Sequence, residues 1–221
     1  MRPIGILLFP FFLSNLLWGQ TAENVPIVAP QSQDRFVIDL HNDVLLSGPQ
    51  GLKIRPWSPG FNAYIMYDYP IKSSRLSVAF GYGISSFNLH LNGSFQRDSL
   101  AQIHFRAFPA TYRYEKYKLA ITYAEIPVEI RIRSNSESPW RLHLGAKIGY
   151  ALSSHEKIID DDGNRKFYKI DGLEPLRYGL TVRLGKGRFS AYGCYNLSPL
   201  FKTKYSEPFY PLSLGMSIIL I

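Results

Sequence analysis

In the stretch "AEIPVEIRIRS", Glu125, Glu129, Arg131 and Arg133 occupy odd positions while Ile126, Val128, Ile130 and Ile132 occupy even ones. A second stretch, "WRLHLGAKIGY", sets Arg141, His143 and Lys147 against Trp140, Leu142, Leu144, Ile148 and Tyr150. "LRYGLTVRLGK" repeats the arrangement with Arg177 and Arg183, and "DRFVIDL" and "YDYP" add Asp39 and Asp68. Acids and bases spaced in this way could relay protons or ions, act as acid and base on a substrate, or neutralise one another. In a confined interior opposite charges pair, because an unpaired buried charge costs several kcal/mol. The expected use of Asp39, Glu125, Glu129, Arg131, Arg141, Lys147, Arg177 and Arg183 is therefore a structural salt-bridge cluster, with an ion path as the sharper alternative.

Other chemistry is thinly represented. The five histidines, His41, His90, His104, His143 and His155, lack any surrounding nucleophile signature, and no CxxC, His-Glu-x-x-His or phosphate-cradling glycine loop occurs. Enzymatic activity is not expected, nor is a cofactor or a resident metal. "DDDGN", Asp160 to Asn164, has the look of a calcium loop. Arg165 stands where that loop needs glycine and the closing Glu is absent, so an acidic hairpin tip is expected. Cys194 is the single cysteine; it excludes an internal disulfide and reads as a small buried filler.

The elements that must carry these residues have a period of two, the signature of a strand with two unlike faces. It recurs in Phe36–Leu40, Phe61–Tyr69, Leu76–Ser86, Lys118–Arg133, Trp140–Ser154, Leu176–Gly185, Phe189–Leu197 and Tyr210–Leu220, which makes eight strands. Short turns at Pro70–Ser73, Ser134–Pro139 and Gly185–Gly187 alternate with the long links Asn42–Gly60, Asn88–Lys116, His155–Pro175 and Ser198–Pro208. This describes an up-and-down meander with one trimmed and one elaborated rim. An even strand number puts both termini at the trimmed rim.

Period two alone does not separate a soluble, lipocalin-like carrier, apolar inside, from a membrane barrel, apolar outside. Three features favour the membrane barrel. The non-apolar face is rich in Gly, Ala and Ser, which suits the narrow interior of an eight-stranded barrel. Trp140 and Tyr150 share a face ten residues apart, roughly 33 Å along a strand and about 25 Å of height at the usual tilt. The last strand stays apolar to Ile221. Leu142, Leu144 and Ile148 should then face lipid. At this level Leu144→Arg should damage folding, and Gly145→Ser should be the milder change.

Within Lys118–Arg133 the apolar residues change phase: Leu119, Ile121 and Tyr123 are odd, Ile126 to Ile132 even. A bulge near Ala124–Pro127 would account for this, since Pro127 cannot donate a ladder hydrogen bond.

The chain begins with Arg2 and an apolar run from Ile4 to Trp18, too short for a comfortable membrane helix, so residues 1–19 read as a secretory signal peptide. Residues 20–33 read as a flexible periplasmic lead-in and 34–221 as the barrel. The formal net charge of +8 suits phosphorylated lipid headgroups better than nucleic acid in an exported chain. The expected surroundings are outer-membrane lipid and lipopolysaccharide, with a monomeric barrel.

The motifs "TYAEIPVEIRIRS", "LGAKIGYAL", "DRFVIDL", "FNAYIMYDYPI", "YNLSPLF" and "YPLSLGMSI" resemble the outer-membrane β-barrel proteins of Bacteroidota, the PorT-like group. The resemblance implies an eight-stranded antiparallel transmembrane barrel with short periplasmic turns and long extracellular loops. It also implies a structural, adhesion or secretion-associated role, with type IX secretion and an envelope or secretion-machinery partner in view. "DSL", Asp98 to Leu100, resembles the O-glycosylation signal of that phylum, on Ser99. The terminal Ile221 departs from the aromatic that ends many such barrels. Lipid A-modifying chemistry, which some eight-stranded barrels perform with His, Ser and an acid near the outer rim, is the alternative function, and the exported carrier the third.

Overall fold

The computed structural model describes residues 36–46, 48–72, 75–135 and 140–220. The expected signal peptide, 1–19, and lead-in, 20–33, lie outside the described residues. The strands are β1 (Phe36–Leu46), β2 (Pro59–Pro70), β3 (Leu76–His90), β4 (Gly93–Arg97), β5 (Ile103–Ala107), β6 (Tyr114–Arg133), β7 (Trp140–Asp160), β8 (Gly163–Tyr168), β9 (Leu176–Lys186), β10 (Phe189–Asn196) and β11 (Tyr210–Leu220). Eight of them form a ring in the order β1-β2-β3-β6-β7-β9-β10-β11, with β11 pairing back onto β1 and every ring pairing antiparallel. Closure leaves no ring edge unpaired, which is what allows a sheet to sit in lipid. The eight strands read from the sequence are these eight. The long links hold three more: the hairpin β4–β5, and β8, which folds back on the upper half of β7.

The membrane-facing wall follows from the alternation. On β6, Ile126, Val128 and Ile130 are about half exposed on the outside, while Glu125, Glu129 and Arg131 are buried inside. On β7, Leu144, Ile148 and Tyr150 point out, and Arg141, His143 and Lys147 point in. A soluble carrier would have the reverse arrangement. The interior is tight: a Cβ added at Gly145 would lie 2.6 Å from the Val128 carbonyl oxygen and 2.8 Å from Glu129 Cγ. Gly145→Ser is therefore not the mild substitution that its small size suggests, because neighbouring backbone would have to shift.

No bulge interrupts β6 between Ala124 and Pro127. Its odd residues face inward from Tyr117 to Arg131 without a break, and its register with β3 is constant. Pro127 faces inward at a point where the β3–β6 ladder passes from Phe80↔Val128 to Gly83↔Glu125. The extra residues are Leu152 on β7 and Glu115 on β6, where the β6–β7 register shifts. What changes near Tyr123 is the medium. Below it the inward residues are charged and the outward ones apolar. Above it Tyr117, Leu119, Ile121 and Tyr123 are buried inside and the outward residues are Lys116, Lys118, Ala120 and Thr122. β3 reverses at the same level: Ser85 lies opposite Tyr123, and the inward residues above it are Phe87 and Leu89.

The upper part thus has a hydrophobic core of its own, in which Phe87, Leu89, Leu119, Ile121, Leu200 and Phe201 are among the buried members. The links are stitched into it by backbone bonds: Ile103 N–H to the Tyr205 carbonyl (2.6 Å), Glu174 N–H to Leu200 (3.0 Å) and Lys202 N–H to Gly172 (2.9 Å). Phe95 packs its ring 4.7 Å from that of Phe201. The "DDDGN" segment is the tip of the β7–β8 hairpin, with Asp160 opposite Gly163. "DSL" lies in the β4–β5 turn, where Asp98 Oδ1 accepts from the N–H groups of Leu100 (2.9 Å) and Gln102 (2.8 Å).

Candidate functional site

Alternation on β1, β2, β6, β7, β9 and β10 sends long polar side chains into a space about wide enough for side chains alone. Arg183 on β9 forms a two-pronged contact with Asp39 on β1: Nε donates to Oδ1 at 2.9 Å and Nη2 to Oδ2 at 2.7 Å. Its third nitrogen, Nη1, donates to Glu129 on β6. Glu129 also accepts from Arg131 Nε at 2.9 Å and lies 3.6 Å from His143 Nδ1. Arg131 Nη1 is 3.7 Å from Asp68 on β2, to which Arg133 also donates. One connected network thus spans β1, β2, β6, β7 and β9.

A second group sits higher. Glu125 accepts from Tyr64 of β2 and from Lys147 Nζ at 3.0 Å, and lies 3.6 Å from Arg177 Nη1. Arg177 Nε donates to Asn196 Oδ1 at 2.6 Å. The Arg177 guanidinium also lies over two rings of the upper core, Tyr123 at 4.9 Å and Phe87 at 5.3 Å. Arg177 is therefore the boundary residue between the charged lumen and the apolar cap, held from below by charge and from above by ring faces. Asn62 adds to the first group from the side, donating to Asp39 Oδ2 (2.9 Å) and to Tyr192 OH (3.1 Å).

All eight charged residues named for the cluster are buried in the lumen. Ion-pair or hydrogen-bond geometry links Asp39, Glu125, Glu129, Arg131, Lys147, Arg177 and Arg183 as described, and Arg141 faces inward beside the lower group, near the turns. The sequence reading missed Asp43, which it left in the link Asn42–Gly60. β1 runs to Leu46, six residues beyond its expected end at Leu40, so His41 and Asp43 both lie on the strand and face the lumen. The continued alternation of His41, Asp43 and Leu45 against Asn42 and Val44 was the signal for this. Tyr64, Asn62 and Tyr192, on inward positions of assigned strands, were also passed over because they carry no formal charge.

His41, Asp43 and Ser213 converge, the residue types of a hydrolytic triad. His41 Nδ1 lies 2.8 Å from Asp43 Oδ1 and its Nε2 meets Asn62 Oδ1 at 3.2 Å. Ser213 Oγ donates to Asp43 Oδ1 at 2.6 Å. The serine proton therefore goes directly to the acid and not to the imidazole, whereas an activated nucleophile needs the base on its own hydroxyl. Asp43 Oδ2 is also engaged, accepting from Asn88 N–H at 2.9 Å. Among the described residues no group of three or more His, Cys, Asp or Glu could hold a metal ion. Asp160 in the hairpin tip is held by Tyr112 and Arg165, whose hydrogen bonds lower its pKa.

A closed ring, an apolar outer belt and a charged interior are the properties of a transmembrane β-barrel. A family model described as "Outer membrane protein beta-barrel domain" matches residues 39–202. The chain belongs to that family. It is an outer-membrane barrel, with the short connections at the periplasmic rim and the cap outside. No curated protein matches the chain, and no solved structure does. In this outer-membrane barrel the lumenal network lies within the membrane-spanning part, and the apolar cap above it lies beyond the outer leaflet.

Proposed function

We propose that this outer-membrane barrel is a non-enzymatic, non-conducting monomer that works through its extracellular cap, in envelope organisation, adhesion or support of a secretion machine. The observation that carries the reading is the lumen itself, where Arg183 ties β9 to both β1 and β6. A passage would require these pairs to separate, at the cost of leaving buried charges without partners. The cap core closes the outer end with Leu200 and Phe201 from the last long link. The direct bond from Ser213 to Asp43 supports the absence of triad chemistry. The resemblance of the strand motifs to PorT-like proteins of Bacteroidota supports the secretion-associated branch, and with it a partner in the envelope machinery.

Purified, folded protein in planar bilayers should give no steady pore. Stable single-channel conductance, altered by neutralising Glu125 or Glu129, would overturn the sealed-lumen reading. Lipid A mass spectrometry of a deletion strain should show an unchanged acylation pattern, and a lost or gained acyl chain would favour the enzyme.

A further inference from the structure

Beyond the lumen, an ordered row of basic side chains crosses the outside of the cap. Ile54 bridges Leu91, and the next pair along, Arg55 N–H to the His90 carbonyl at 2.8 Å, continues that contact. His90 is opposite Lys118, Lys118 is opposite Lys157, and Lys157 is opposite Lys166. Arg55, His90, Lys118, Lys157 and Lys166 are thus successive cross-strand neighbours on one face, with His90 buried beneath the link between the cations on either side. Five chain segments at the usual spacing make a row about 20 Å wide. Lys116 flanks it two residues above Lys118.

Directly opposed like charges destabilise a sheet, so folding alone gives no reason for such a row. No ion pair engages Arg55, Lys118, Lys157 or Lys166 among the described residues, and the carboxylate on β7 beside them, Glu156, is directed to Tyr117 on the other face. Burial has the largest influence on two of these groups, and the neighbouring cations add to it. Burial, then Lys116, Lys157 and Lys166, lower the Lys118 pKa. Burial, then Lys116 and Lys118, push His90 down to about 4, against a hydrogen bond with the Trp57 carbonyl.

The height of the row identifies what it meets. The top of the lipid-facing wall is the cross-strand row of Ile84, Ala124 and Tyr150. The basic row lies six residues further along β3 and β6, about 20 Å of strand and about 15 Å of height at the usual tilt. Between the two levels, Tyr168 stands opposite His155, two residues membrane-ward of the lysines, and is 72% exposed. Trp57, beside His90, is equally exposed. Exposed Trp and Tyr mark the membrane–water interface, and lysine side chains above it reach down toward headgroups.

We propose that Arg55, Lys118, Lys157 and Lys166, the charged members of this row, bind the phosphates of a phosphorylated glycolipid headgroup in the outer leaflet, as carried by lipopolysaccharide. A lipid that brings fixed negative charge to this height relieves the repulsion that the protein leaves uncompensated. The same lipid lies against the aromatic residues below.

The test titrates full-length, detergent-purified protein with bis-phosphorylated lipid A, its dephosphorylated counterpart, or inorganic phosphate, and reads bound lipid by native mass spectrometry. A basic residue near an anionic surface is worth about five-fold in binding, so Lys118→Gln/Lys157→Gln/Lys166→Gln should weaken the phosphorylated lipid on the order of 100-fold. The corresponding lysine-to-arginine variant should keep it, and Lys202→Gln/Lys204→Gln, on the link before β11, should leave it unchanged. Lys166→Gln alone, on the outermost strand, should cost about five-fold, which keeps the test decisive if the triple variant does not fold. Equal binding by the triple variant, equal binding of dephosphorylated lipid, or equal loss in the Lys202/Lys204 variant would overturn the site. Inorganic phosphate displacing the lipid at similar concentrations would show a free-phosphate site and overturn the lipid assignment.

Discussion

The lower and upper halves of this barrel are built from the same strands with opposite rules. Below the level of Ser85 and Tyr123, β3 and β6 put Leu76, Phe80, Ile126 and Ile130 outside and Ser77, Glu125, Glu129 and Arg131 inside. Above it the same strands put Phe87, Leu89, Leu119 and Ile121 inside and Asn88, His90 and Lys118 on the outer phase. Neither strand changes which residues point inward. Only what lies outside changes, from lipid to water and, over Asn88 and His90, to the polar link through Trp57 and Pro59, and the composition of each face follows it. A reversal of hydrophobic phase along one strand is therefore evidence for a change of solvent as much as for an inserted residue. The two halves are also held differently, by paired charges below and by apolar packing above, and they should fail differently.

The largest effect is expected in the lumen. Glu129→Ala removes the shared acceptor of Arg183 and Arg131 and should cost about 3–5 kcal/mol, the usual penalty for stranding a buried partner. Urea titration in lipid vesicles, read as the loss of the faster-migrating unboiled band on a denaturing gel, measures it. A change below about 1 kcal/mol would mean that water already solvates these charges.

The next comparison places one new arginine on the outer phase of β7 in each half. Leu144→Arg puts it in the lipid-facing wall and should cost about 2–4 kcal/mol near the midplane. Ser153→Arg, above the wall and exposed, should stay within about 0.5 kcal/mol of the parent, as surface changes do. Equal costs would erase the distinction between the two halves.

The smallest effect concerns acid. The His90 pKa, pushed down to about 4, lies below the unfolded value of about 6.5, so between these limits the unfolded chain binds the extra proton. Stability should fall as pH drops from about 6.5 to about 4 and level off below, as far as this group contributes. His90→Gln should flatten that segment of the cap's hydrogen-exchange profile and leave lumenal amides unaffected. An unchanged slope would show that His90 is not held neutral by its burial and the neighbouring lysines.

Much of the lower half is legible in the sequence because lipid on one side and a narrow lumen on the other demand a strict alternation, and Trp140 to Tyr150 keeps it without fault. The closed ring and the inward position of Glu125, Glu129, Arg131 and Arg183 follow from that alternation. Which acid meets which base does not follow. Asp39 meets Arg183, 144 positions away, through a stagger of strands that no local pattern encodes. The cap was hidden for a different reason. Its strands obey the rule for water, so Leu119 to Tyr123 looked like a strand out of phase. Asp43 was lost for a third: the neighbouring outward residue Asn42 is itself polar, because β1 is leaving the lipid there, and the strand's contrast fades.

The face reversal on β6 is the central claim and has a direct readout. In a Cys194→Ala background, spin labels placed singly at Ile126, Ile130, Lys118 and Leu119 in liposomes should report collision rates with oxygen, which concentrates in lipid, and with a water-soluble nickel complex. The account predicts high oxygen and low nickel accessibility at Ile126 and Ile130, high nickel accessibility at Lys118, and low accessibility to both at Leu119. Oxygen accessibility as high at Lys118 as at Ile126, or nickel accessibility at Ile126 matching that at Lys118, would contradict it.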